Sequence, residues 1–306
     1  MPPNATIWKI DRFATHDGPG IRTNIYFKGC PLRCLWCANP EGQDEGKELG
    51  FSETQCNGCG LCVDSCPQGA ILAQEGIPII DSARCDLCGE CVYACPTEAL
   101  HICGDYWPLS KVMDVIEKDR HIYRKSGGGI TCTGGEPLLQ MDFLQQLLAE
   151  CSEMGIHVAL ETCGHVDAVK FRKILSRIDW LFFDLKHLDS LRHRQLTGRD
   201  NSLILNNLQT ASGLFAETRQ ILVIRQVIVS GLNDGHNIRA LAEFARTLPH
   251  VNMIELLPYH AYGSHKYRSF GREYRLQDLE PHSEDRLLEY KDVVEKQGIR
   301  CKIGSL

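Results

Sequence analysis

The chain has 306 residues, 43% of them apolar, and a formal net charge of −6. That length accommodates one large domain and a small one, and the apolar fraction is ordinary for a packed core. The mild acidity gives no sign of a nucleic-acid or membrane footprint, and no apolar run reaches the roughly 18–20 residues that span a bilayer.

The opening residues Met1-Pro2-Pro3-Asn4-Ala5-Thr6 carry neither a basic segment nor an apolar one, so the expected location is the cytoplasm. Of the sixteen cysteines, eleven fall in three groups. In a long chain from a reducing compartment such grouping reads as metal binding, not as a disulfide framework. Cys103, Cys132, Cys151, Cys163 and Cys301 are scattered and read as small buried hydrophobes.

In chain order, Thr6–Phe13 reads as an extra strand that pairs outside the barrel, and Asn24–Phe27 as the first strand within it. Directly after it come Cys30-Pro31-Leu32-Arg33-Cys34-Leu35-Trp36-Cys37, a C-x3-C-x2-C run. One short loop thus supplies three thiolates, whereas a cubane [4Fe–4S] cluster has four irons. The fourth iron keeps an open position, and an open position on a metal takes a ligand other than the protein. Lys28 and Arg33 flank or enter this loop, and cations beside a cluster favour its reduced state.

An internal repeat follows. Gln55-Cys56-Asn57-Gly58-Cys59-Gly60-Leu61-Cys62-Val63-Asp64-Ser65-Cys66-Pro67 recurs 29 residues later as Arg84-Cys85-Asp86-Leu87-Cys88-Gly89-Glu90-Cys91-Val92-Tyr93-Ala94-Cys95-Pro96. Each copy is C-x2-C-x2-C-x3-C-P, the bacterial two-cluster ferredoxin run, in which the fourth cysteine serves the other cluster. The expected sets are therefore Cys56, Cys59, Cys62 and Cys95, and Cys85, Cys88, Cys91 and Cys66. Zinc is the competing reading for any CxxC pair; the doubled eight-cysteine pattern with both prolines weighs against it. With four protein ligands each, these two clusters carry electrons and leave no open iron. The insert is expected over residues 50–104, between residues 1–49 and 105–306 of the main domain.

Beyond the insert, strands at Gly129–Thr133, His157–Glu161, Trp180–Asp184, Ile221–Val229 and Asn252–Leu257 alternate with amphipathic stretches. These are Leu109–Arg124, Leu139–Met154, Val166–Ile178, Leu203–Leu214 and Asn237–Thr247, with Asp278–Gln297 last. Phe143, Leu144, Leu147, Leu148 and Cys151 mark a helix that buries one face. Strand–helix alternation implies parallel strands. The expected class is α/β: a partial (β/α)6 TIM-type barrel with an inserted bacterial-ferredoxin-like α+β domain.

Parallel barrels carry their chemistry at the carboxyl ends of strands. Those ends hold Thr133-Gly134-Gly135-Glu136-Pro137, Glu161-Thr162-Cys163-Gly164, Asp184-Leu185-Lys186 and Leu257-Pro258-Tyr259-His260. Asp184 and Lys186 share one side of a strand. Arg225 on the fifth strand, a permanent cation able to hold a carboxylate bidentately, is a candidate cofactor-binding residue. The ordinary accounts of these residues are a tight turn, a salt bridge and a structural histidine.

His16-Asp17-Gly18-Pro19-Gly20-Ile21-Arg22-Thr23, then Phe27-Lys28-Gly29 and the cysteine loop, then Asn39-Pro40-Glu41, together resemble the signature of the glycyl-radical-enzyme activating enzymes. This is the pyruvate formate-lyase-activating-enzyme-like branch of the radical S-adenosylmethionine (SAM) superfamily. The resemblance implies that Cys30, Cys34 and Cys37 hold a cluster whose open iron binds SAM. It implies reductive cleavage to methionine and a 5′-deoxyadenosyl radical, which takes a Cα hydrogen from a glycine of a partner glycyl radical enzyme. Gly134, Gly135 and Glu136 would serve the amino group of SAM, Asp184 and Lys186 its ribose and carboxylate, His260 its nucleoside and Trp36 its adenine. Glu161, with Thr162 and Asp184, matches positions that also hold a monovalent cation, although the family more usually has Asp where Glu161 stands. Asp17 and Arg22 would meet the substrate peptide. A reductant such as flavodoxin or ferredoxin is implied, with a monomer that docks transiently. Two other readings compete. A radical SAM maturase acting on another peptide usually carries its extra clusters in a carboxy-terminal extension, whereas here they follow the first motif. An electron-transfer protein would leave the DGPGIR, GGEP and DLK runs without a role.

Overall fold

The computed structural model describes residues 3–304. Strands β1 (Asn4–Ala14) and β2 (Arg22–Phe27) come first. A small module follows: β3 (Glu48–Phe51), α1 (Leu61–Asp64), β4 (Ile71–Gln74), β5 (Ile77–Ile80), α2 (Glu90–Tyr93) and β6 (Leu100–Cys103). The chain then runs through β7 (Asp105–Pro108), α3 (Leu109–Ser126), β8 (Gly129–Gly134), α4 (Met141–Glu153), β9 (His157–Thr162), α5 (Ala168–Leu175) and β10 (Trp180–Asp184). It ends with α6 (Ser190–Thr197), α7 (Ser202–Phe215), β11 (Ile221–Ile228), α8 (His236–Thr247), β12 (Met253–Pro258), α9 (Ser264–Ser269), α10 (Glu284–Glu295) and β13 (Cys301–Ile303).

Nine strands form one sheet in the order β13-β12-β11-β10-β9-β8-β2-β1-β7. From β2 to β13 every pair is parallel, while β1 runs antiparallel to both β2 and β7. The sheet is the expected partial barrel, extended by β1 on one side and by an unforeseen seventh parallel strand, β13, on the other. Only three residues long, β13 is too short to register as a periodic pattern.

Period-two alternation divides each strand between two environments. Leu160, Leu181, Phe183, Leu222, Ile224, Ile254 and Leu256 face the helices in the main core, with the stripe from α4. Ala159, Phe182 and Val223 pack together on the opposite, lumen side. Further along, that side turns polar: Asn24, Thr131, Thr133, Glu161, Asp184, Arg225 and Glu255 follow the same parity. Several helix ends differ from the sequence expectation because capping overrides periodicity. Asp167 accepts from the Val169 and Lys170 amides and starts α5 late. Pro281 and the Ser283 cap delay α10 to Glu284. Among the described residues no helix is long and apolar enough to cross a membrane.

The module between β2 and β7 is closed by β3 pairing antiparallel with β6. Its attachment involves Lys28, whose side chain is fully buried with Nζ 2.8 Å from Glu48 Oε2. Glu48 also receives Arg272. Lys28 was expected to influence the three-cysteine cluster; instead its ammonium turns toward β3 and staples the module to the sheet. Removing one partner of a buried pair leaves an uncompensated charge, so Glu48→Ala is expected to cost about 3 kcal/mol and lower Tm by roughly 6–12 °C. A melting curve coincident with the parent's would show that the pair contributes nothing.

Candidate active site

The cysteine loop leaves the carboxyl end of β2 and is clamped on two sides. Its Arg33 and Leu35 amides donate to the carbonyls of Thr197 (2.7 Å) and Leu196 (3.1 Å) at the end of α6. The last carbonyls of a helix lack intrahelical partners, so α6 ends as a ready platform for this loop. From the other side, Tyr267 Oη of α9 donates to the Cys37 carbonyl at 3.0 Å, and Lys266 Nζ to that of Ala38 at 3.3 Å. Arg33 braces the loop from within, Nη1 donating to the Cys30 carbonyl at 2.6 Å while Nη2 pairs with Asp44. Neither α6 nor α9 was foreseen. The signal for α6 was present in Asp189, whose carboxylate caps Arg192 N, and in Gly198 just past the end.

Burial pushes the Cys34 and Cys37 thiols up, while a hydrogen bond with Cys163 holds Cys30 below the usual thiol range. Lys186 acts on all three as a nearby positive charge. Iron binds thiolates and releases their protons. Three mutually close cysteines on one loop beside an ammonium therefore fit a three-thiolate cluster.

Gly134 and Gly135 let β8 close on the approach to Cys30. A Cβ on Gly135 would lie 2.1 Å from the Gly29 carbonyl oxygen, and Gly134 has φ +110°. Gly135 N donates to Phe27 O, and Glu136 N to Gly29 O. The Glu136 side chain serves a different purpose from the one expected. Its carboxylate is completely buried and accepts from Thr162 Oγ1 and the Cys163 amide at 2.8 Å and from Leu138 N at 3.2 Å. It ties the end of β8 to the end of β9, with its oxygens consumed by protein donors.

In the lumen, Lys186 Nζ stands 2.9 Å from Asp184 Oδ2. Burial opposes the Lys186 charge, but Asp184 and Cys34 outweigh it and hold the ammonium above its usual range. Arg225 has its own carboxylates: Nη1 bonds Glu161, Nε bonds Glu255 at 2.6 Å, and the guanidinium lies 3.5 Å over the Phe182 ring. Thr133 and Glu255 were missed in the sequence; both sit on the lumen parity, and Glu255 pairs in register with Arg225. Trp36 is 5% exposed and packs with Leu196, Tyr259 and Tyr267, so loop packing accounts for nearly all of its surface. His260 follows β12, stacked on Tyr262 with ring centroids 4.5 Å apart. Burial and Lys266 hold its imidazole below the usual range.

Asp17 reaches the same lumen, its carboxylate accepting from Asn24 Nδ2. Arg22 does not. Its side chain is fully buried, with Nε on Thr131 Oγ1 at 2.6 Å and Nη1 on the Pro19 carbonyl at 3.0 Å. Burial lowers its guanidinium to about 10. The expectation that Arg22 meets a peptide is thus corrected: it folds the Asp17–Pro19 turn against β8.

In the inserted module the two cysteine runs form matching halves. One shallow hollow is lined by Cys56, Cys59, Cys62 and Cys95, and another by Cys66, Cys85, Cys88 and Cys91. These are the crossed sets that the repeat implies. Glycines in the left-handed conformation, Gly60 and Gly89, open α1 and α2. The fourth cysteine of each run accepts an amide four residues on, Ala70 N to Cys66 Sγ and Ala99 N to Cys95 Sγ, both at 3.3 Å. Asn57 and Asp86 cap the Cys59 and Cys88 amides. Four thiols around one hollow are the donor set that a four-iron cluster takes. Of the remaining cysteines, all five are buried, although Cys163 is more than filler because it lies against Cys30.

The chain matches two family models: "4Fe-4S dicluster domain" over residues 45–99 and "Radical SAM superfamily" over residues 80–245. It is 38% identical over 305 residues to the trans-4-hydroxy-L-proline dehydratase activating enzyme of Clostridioides difficile, covering 98% of this chain and 99% of that protein. It is 41% identical over 282 residues to the choline trimethylamine-lyase activating enzyme of Oleidesulfovibrio alaskensis, with 89% of each covered. Its fold resembles that of Streptococcus suis SuiB bound to precursor peptide SuiA, with a TM-score of 0.53 at 15% identity over 90% of this chain and 46% of that one. The three-thiolate loop at the mouth of a partial parallel barrel, the paired cluster hollows and near full-length relatives at this identity lead to one conclusion: the chain belongs to the glycyl-radical-enzyme activating enzymes of the radical SAM superfamily.

Proposed function

We propose that this chain installs a glycyl radical in a partner enzyme by reductive cleavage of SAM. The observation that carries this reading is the convergence, at the strand carboxyl ends, of the Cys30–Cys37 loop with the Asp184–Lys186 pair and the Gly134–Gly135 backbone. When bound, a cluster held by Cys30, Cys34 and Cys37 supplies an electron to the sulfonium, giving methionine and a 5′-deoxyadenosyl radical that abstracts a glycine Cα hydrogen. The protein's own residues orient SAM and exclude water. Lys186 offers its ammonium to the SAM carboxylate, and Asp184 its free oxygen to a ribose hydroxyl. Gly134 and Gly135 present backbone to the amino group, and His260 and the edge of Trp36 border the nucleoside. Asp17, on the rim, is placed to meet an entering peptide. Glycine suits such a target because it lacks a Cβ and enters a narrow lumen. The main domain is taken as 1–49 with 105–306 and the cluster-bearing insert as 50–104. The insert relays electrons from flavodoxin or ferredoxin to a monomeric, cytoplasmic, anaerobic enzyme.

Two measurements test this. Anaerobically reconstituted protein with SAM and reductant is expected to yield 5′-deoxyadenosine and methionine in equal amounts. With a candidate glycyl radical enzyme added, the same mixture is expected to develop a glycyl-radical electron paramagnetic resonance doublet. 5′-Deoxyadenosine without a radical on any encoded partner would redirect the assignment to a peptide maturase.

A further inference from the structure

The monovalent cation expected beside Glu161, Thr162 and Asp184 fits the structure poorly, because both Glu161 oxygens and the Thr162 hydroxyl are engaged and Asp184 has given one of its two oxygens to Lys186. One Glu161 oxygen accepts from Arg225 and the other from Thr133 Oγ1 at 2.5 Å. Thr162 Oγ1 donates to Glu136 and accepts from Gly164 N at 2.9 Å. Asp184 is paired with Lys186. A hard cation needs several oxygens with uncommitted lone pairs, and this corner offers few.

A positive charge is nonetheless present there. Arg225 is 7% exposed, clamped between Glu161 and Glu255, and seated on Phe182. Glu255 is in turn paired with Lys302 at 3.2 Å. Sheet register fixes the arrangement: Glu161 lies opposite Phe182, Asp184 opposite Arg225, and Arg225 opposite Glu255. Arginine keeps its proton at any working pH, and its planar fork suits carboxylates. Glutamate is one methylene longer than the aspartate more usual at position 161, which extends its reach toward β11.

We propose that the Arg225 guanidinium permanently replaces a monovalent cation in this chain, so that SAM binding requires neither Na⁺ nor K⁺. A tethered charge held by two carboxylates cannot dissociate, whereas an ion must be recruited from solution at an affinity set by its concentration. The inference rests on the SAM site proposed above.

The test measures SAM affinity of the anaerobically reconstituted holoenzyme by equilibrium dialysis in KCl, NaCl and choline chloride at equal ionic strength. The parent protein is expected to bind SAM with a Kd constant to within about twofold across the three salts. Arg225→Ala leaves Glu161 and Asp184 without that charge and is expected to bind about tenfold more tightly in KCl than in choline chloride. Arg225→Lys is expected to restore indifference to the salt. A roughly tenfold loss of parent affinity on replacing K⁺ by choline would overturn the inference while leaving the SAM site standing. Salt-indifferent binding by Arg225→Ala would also overturn it. No binding in any salt would overturn the SAM reading itself and this inference with it. The parent salt series decides the matter even if the variants do not fold.

Discussion

Cys34→Ala is expected to abolish SAM cleavage while sparing the clusters of the insert. Losing an outer-shell partner of a metal site typically costs about 10–100-fold, and removing one of only three thiolates exceeds that. Bound iron is expected to fall from about twelve to about eight per chain, since two four-iron sites remain. The separation follows from the structure: Cys34 sits in the loop held by α6 and α9, whereas the eight insert cysteines line their own two hollows. Iron analysis and 5′-deoxyadenosine formation on one preparation check both halves. Full iron content with normal cleavage would refute the assignment of this loop as the reactive site.

The second large effect concerns electron entry. Cys59 and Cys88 are the exposed members of the two crossed sets, which places one edge of each hollow at the surface. If the insert is the conduit, Cys59→Ala combined with Cys88→Ala lowers the activation rate about tenfold or more with a flavodoxin or ferredoxin donor. With a small chemical reductant, which reaches the three-cysteine cluster directly, the rate stays near the parent's. The contrast between donors is the diagnostic, because a variant that merely misfolds loses both. Equal rates with the protein donor would make the insert a docking element.

Much of this was legible in sequence for a physical reason. Cluster ligands are most often cysteines at short spacings, so Cys30, Cys34 and Cys37 and the doubled ferredoxin run declare themselves without neighbours. Long buried parallel strands such as Trp180–Asp184 show the same clarity, because apolar runs between amphipathic helices admit few other folds. The strand boundaries shifted by a residue or two and the helix ends by more, since caps such as Asp167 and Ser283 are local chemistry that periodicity does not encode.

The residues that changed meaning are charged ones. Arg22, Glu136 and Arg225 were each plausible ligands by position, and Lys28 a plausible charge beside the cluster. Whether a charge is free to meet a ligand depends on which opposite charge or donor lies across the fold. Glu48 is 20 residues from Lys28, Thr162 is 26 from Glu136, and Glu161 is 64 from Arg225. Such partners are brought together only by strand register and burial, where an unpaired charge would be costly. The sequence by itself determined the chemistry, because cysteine spacing carries its own geometry. The tertiary structure alone decided which charged side chains are already paired, and it set Arg225 between Glu161 and Glu255.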